Sequence, residues 1–114
     1  MKRYLLAAIF CGFHPGSEAH HAAAPHFFLD RTITLEGVVT DFRFVNPHSY
    51  IYFDVTDTQG NTSNWRCSLT TVARLRSRGW SDDSLQPGQR ITLTGSPARR
   101  EDNHCLYRSM ILAD

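Results

Sequence analysis

The sequence predicts an all-β domain with one small helix: a five-stranded OB-fold-like barrel of strand order β-β-β-α-β-β, following an N-terminal signal peptide. Three observations predict it. The apolar pattern of the first strand changes phase part-way along, as it does when one strand bends to pair in two sheets. A capped helical turn stands between the third and fourth strands. The two cysteines beyond the leader, Cys67 and Cys105, fall on the third and fifth strands.

The leader comes first. Basic Lys2 and Arg3 precede an apolar run from Tyr4 to Phe13, and a polar stretch then ends in Ser17-Glu18-Ala19, with small residues where a signal peptidase cuts. That run is about half the roughly 20 residues a membrane-spanning helix needs. The expected division is a signal peptide at 1–19, an extended histidine-containing arm at 20–30 and the OB-like barrel at 31–114. The expected location is periplasmic or secreted, with no stable membrane span after cleavage. Loss of Lys2, Arg3 and Glu18 takes the 12 basic and 11 acidic residues to ten of each. A formally neutral domain exerts no bulk pull on polyanions, so nucleic acid is not expected as a partner.

Each element follows from its alternation. Ile33 and Leu35 share one face of the first strand, and after Gly37 the apolar set moves to Val38, Phe42 and Phe44, placing a bulge or bend at the glycine. Asn46-Pro47-His48 ends that strand. Ser49 to Val55 forms the second, with Ile51, Phe53 and Val55 on one face and Tyr50, Tyr52 and Asp54 on the other. Asp57-Thr58-Gln59-Gly60-Asn61 supplies a hairpin turn. Thr62 to Leu69 forms the third strand, with Trp65, Cys67 and Leu69 together and Asn64, Arg66 and Ser68 opposite.

Thr70 or Thr71 then caps a short helix carrying Val72, Ala73 and Leu75. Gly79 ends it in the left-handed conformation, and Trp80 folds back on Leu75. A Pro87-Gly88 turn enters the fourth strand, Arg90 to Gly95, where Ile91 and Leu93 alternate with polar residues. A charged loop, Arg99 to Asn103, precedes the last strand, His104 to Leu112. In this barrel the third and fifth strands are neighbours, so Cys67 and Cys105 form an expected disulfide in an oxidising compartment.

Several fragments together resemble a known family: His20-His21, Leu35-Glu36-Gly37-Val38-Val39, Asn46-Pro47-His48, Asn64-Trp65, Leu75-Arg76-Ser77-Arg78-Gly79-Trp80 and Leu85-Gln86-Pro87-Gly88. They resemble domain-of-unknown-function family 6152, small exported bacterial proteins, and cover nearly all of the chain beyond the leader. The resemblance implies an OB-like exported domain and no known activity. It also implies an acidic residue soon after the tryptophan of the third strand, where this chain has Ser68.

Two functional readings follow. In the first, the domain is a non-enzymatic binding or accessory module for a small ligand or an envelope protein. Its ligand face comprises Tyr50, Tyr52 and Arg66, with Arg43 beside them, offering aromatic rings and guanidinium groups for stacking. In the alternative, cleavage after Ala19 exposes the amine and imidazole of His20, which with His21, His26 or His48 make a nitrogen-rich set suited to copper. His48 also has a plainer reading as a turn histidine bonded to backbone. No nucleophile-base-acid pattern or Gly-rich phosphate loop stands out, so no enzyme is expected.

Overall fold

The structure, a computed structural model, describes residues 22–113. Strands β1 (Ile33–Arg43), β2 (Tyr50–Thr56), β3 (Thr62–Ser68), β4 (Arg90–Pro97) and β5 (His104–Leu112) close a barrel in the spatial order β1-β2-β3-β5-β4. Helix α1 (Val72–Ser77) lies between β3 and β4 in the chain. This is the OB architecture expected from the strand order. Every neighbouring pair is antiparallel except β3 and β5, which run parallel.

β1 serves both halves of the barrel, pairing with β4 from Ile33 to Val38 and with β2 from Val38 to Arg43. Its change of phase falls at Thr40, not at Gly37: the register slips between Val39 and Asp41, so Val39 is 1% exposed and Val38 is 39% exposed. Steric room decides this. Gly37 continues the inward series of Ile33 and Leu35, and a Cβ there would sit 2.6 Å from the Asp54 carbonyl oxygen and 2.9 Å from the Phe53 ring. The missing side chain admits Phe53 to the barrel centre, beside Ile51, Leu93 and Ile91.

α1 is bounded as its sequence requires. The Thr71 hydroxyl accepts from the Arg74 N–H, Gly79 has φ +89°, and Trp80 N–H donates to the Leu75 carbonyl at 3.0 Å. Trp80 then packs against Phe42 and, edge-on, against Tyr107, with ring centroids 5.9 and 5.6 Å away. The Asn46-Pro47-His48 segment clasps the same region. Asn46 Oδ1 accepts from the Val72 N–H at 2.9 Å, and His48 Nδ1 donates to the Leu69 carbonyl at 3.3 Å. Ser49, fully buried, donates to the Val45 carbonyl through its hydroxyl.

Cys67 and Cys105 are direct partners in the β3–β5 register, with Cα atoms 4.6 Å apart, and are joined as a disulfide. The arm departs from the extended form expected for it. His26 and Phe27 both donate to the Ala23 carbonyl, closing a turn that the alanine-rich stretch favours over strand. Phe27 then bridges to Ala98, Phe28 N–H donates to the Pro97 carbonyl, and Arg99 and Arg108 donate to the Ala24 and Leu29 carbonyls. The expected leader, His20 and His21 lie outside the described residues. No helix among the described residues is long and apolar enough to cross a membrane.

Candidate functional site

Beyond the Thr40 bulge, Asp41 and Arg43 face outward opposite Tyr52 and Tyr50. Tyr52 in turn lies opposite Arg66, and Arg66 opposite His104. Register alone therefore lays a strip of aromatic and charged side chains across β1, β2, β3 and the start of β5. Four of these, Tyr50, Tyr52, Arg66 and Arg43, are the residues anticipated for a ligand face, and the structure brings them together.

The two tyrosine rings are 6.2 Å apart and inclined at 44°. The Arg43 guanidinium lies 5.2 Å from the Tyr52 centroid and that of Arg66 lies 5.7 Å from Tyr50. These separations are looser than the 4.1 Å of Arg31 over Phe28 elsewhere, towards the outer edge of the cation–π range. Each arginine is also tied to a carboxylate. Arg43 Nε is 3.2 Å from Asp41 Oδ2, and Arg66 Nη2 is 2.5 Å from Glu101 Oε2.

Glu101 links the strip to a buried chain. His104 Nδ1 donates to Glu101 Oε2 at 3.0 Å, which leaves Nε2 to accept from the Ser68 hydroxyl at 2.7 Å. Burial, with Arg66 nearby, pushes His104 below the usual histidine value, so its ring is neutral at neutral pH. The hydrogen bond from Arg66 holds Glu101 below the ordinary carboxylate range, and the same bond raises Arg66. Ser68 thus occupies the position where the family resemblance implied an acid, while the carboxylate facing the imidazole comes from Glu101.

Ser68, His104 and Glu101 follow the order of nucleophile, base and acid. Strand alternation does not announce them, because Ser68 and His104 are 36 residues apart. The signal that finds them is the cysteine pair: if Cys67 lies opposite Cys105 on parallel strands, Arg66 lies opposite His104. The environment is unlike an open catalytic centre. The Phe27 ring packs edge-on against His104 at 5.1 Å, and the carboxylate oxygen on His104 also holds Arg66.

Of the histidines proposed as metal ligands, His26 and His48 are among the described residues. His26 is exposed in the arm turn and His48 bonds the Leu69 carbonyl, as its plainer reading expected. Among the described residues no group of three or more His, Cys, Asp or Glu side chains is placed to hold a metal ion.

Residues 9–107 match the family of unknown function DUF6152. The chain belongs to that family. No curated protein matches it. Solved structures share the fold of this DUF6152 domain. One is the mitochondrial single-stranded DNA binding protein Rim1 of S. cerevisiae, with 8% identity, 72% of this chain and 92% of that chain covered, and a TM-score of 0.54. Another is the N-terminal domain of PriB from Thermoanaerobacter tencongensis, with 18% identity, 75% and 98% coverage and a TM-score of 0.51. At these identities the shared property is the barrel. The expectation that nucleic acid is no partner is overturned by this likeness, because formal neutrality says nothing against a barrel that a single-stranded DNA binding protein also uses. The DUF6152 chain is an OB-fold domain.

Proposed function

We propose that this DUF6152 protein is an exported, non-enzymatic binding domain that takes a ligand with stackable ring faces on the outer face of β1, β2 and β3. The observation that carries the reading is the Tyr50–Tyr52 pair, two outward aromatic rings 6.2 Å apart, flanked by Arg43 and Arg66. Export is supported by the leader-like residues 1–19 and by the buried Cys67–Cys105 bridge, a bond that persists in oxidising compartments. A non-enzymatic role is supported by Phe27 packing on His104 and by the commitment of Glu101 to Arg66, which make the Ser68 chain a brace for Arg66.

The test is a thermal-shift screen of the purified chain against probes with a stackable ring face, namely oligosaccharides, single-stranded oligonucleotides and aromatic small molecules. A bound ligand raises the midpoint by mass action. The Tyr50→Ala/Tyr52→Ala variant is expected to lose the shift given by any stabilising probe, and an equal shift in the variant overturns the assignment of the face. Export is tested by expression with the native leader: a periplasmic product whose mass begins at His20 is expected, and an uncut cytoplasmic product overturns it.

A further inference from the structure

We infer that the tyrosine strip is built for a neutral oligosaccharide of at least two rings; this rests on the binding reading above and adds its ligand class.

The first argument is charge. The strip carries two guanidinium groups, Arg43 and Arg66, and three carboxylates, Asp41, Asp54 and Glu101. Both guanidiniums are already in ion pairs within it. The stacking surface is therefore set among charges already paired with one another, with no excess of positive charge in the strip. A ligand that brings flat faces and no charge suits this strip.

The second argument is the polar frame. Asn64 donates through Nδ2 to Asp54 Oδ1 at 2.9 Å and to the Thr40 hydroxyl at 3.2 Å. With the two arginine pairs, this fixes planar amide, carboxylate and guanidinium groups around the rings. Each of these contacts engages one oxygen of its carboxylate: Asp41 Oδ2, Asp54 Oδ1 and Glu101 Oε2. The second oxygens remain for a ligand. Sugar hydroxyls both donate and accept, so vicinal pairs of them match such groups, and the C–H face of the ring rests on the electron-rich face of a tyrosine.

The third argument is ring geometry. Planes inclined at 44° cannot both lie flat against one ring, so each tyrosine takes its own. One sugar then gains half of the surface, and a linked pair gains both.

The experiment is isothermal titration of the purified full-length product, as processed by the host, with cellohexaose, chitohexaose and maltohexaose, and with an oligothymidylate of about 15 nucleotides. Binding of at least one oligosaccharide is expected, with affinity unchanged within about twofold between about 50 mM and about 500 mM salt. Tyr50→Ala and Tyr52→Ala are each expected to weaken it by roughly tenfold. A phosphate ligand behaves otherwise, losing about fivefold per contacted phosphate over that range. Oligothymidylate binding that depends on the tyrosines and falls with salt, without oligosaccharide binding, overturns the glycan inference and leaves the face as the binding site. Absence of binding to all four probes at millimolar concentration overturns the inference. Oligosaccharide binding that survives both substitutions overturns the assignment to this strip.

Discussion

Replacing both Cys67 and Cys105 by alanine is expected to weaken the barrel along its shortest seam. β3 and β5 meet over three register pairs, against six or seven at the β1–β4, β2–β3 and β4–β5 seams, and the disulfide spans a sequence separation of 38. For a loop of that length the chain-entropy relation gives about 13 cal/mol/K, or about 4 kcal/mol at 25 °C. Against a total of roughly 5–15 kcal/mol for a small domain, that is about a quarter or more of the stability. At about 4–8 °C per kcal/mol, the thermal midpoint falls by roughly 15–30 °C. Urea unfolding followed by Trp65 and Trp80 fluorescence measures the loss directly, after alkylation without reductant and intact mass have shown that the wild type has no free thiol at Cys67 or Cys105. A variant within about 0.5 kcal/mol of the wild type would refute the claim that this seam depends on the bridge.

Four further outcomes are expected. Stability declines as pH drops below about 6.5, because the unfolded chain takes up a proton that buried His104 resists. Above that pH both states hold a neutral imidazole and this contribution is flat. His104→Gln should reduce the slope by up to about 1.4 kcal/mol per pH unit, measured by urea unfolding at each pH, and an unchanged slope contradicts the assignment. Gly37→Ala forces its new methyl into the Asp54 carbonyl and the Phe53 ring and should cost about 1–3 kcal/mol, so a neutral result would show that β1 and β2 separate easily. Asn46→Ala removes the acceptor of the Val72 N–H and should cost about 1 kcal/mol in the same assay, with no loss if water replaces it fully. A fluorophosphonate probe should leave Ser68 unlabelled, and stoichiometric labelling would replace the non-enzymatic reading with a hydrolytic one.

Local chemistry made most of the barrel legible. Thr71, Gly79 and Trp80 act where capping rules place them, and the outward Tyr50 and Tyr52 follow from strict alternation with Ile51 and Phe53. Val38 and Val39 could not be separated in the same way. Two adjacent valines fit either phase, and the choice is made by Phe53, a residue on another strand that needs the space at Gly37. The docking of the arm similarly depends on Arg99 and Arg108, more than 70 residues further along the chain. The hydrogen-bonded chain of Ser68, His104 and Glu101 was encoded in the expected pairing of the cysteines. It becomes visible only when that pairing is carried one residue to either side.

The anchorage of the arm also sets an order of events. Phe27 reaches its seat on Ala98 and His104, and the Ala24 and Leu29 carbonyls find Arg99 and Arg108, only once the β4–β5 hairpin exists. The parallel β3–β5 seam waits for the same segment. During synthesis, then, residues 24–29 have no place to dock until the last part of the domain has emerged, and contacts of such long sequence separation form slowly. A nascent chain of this design keeps Phe27 and its neighbours undocked for as long as β5 is still being made.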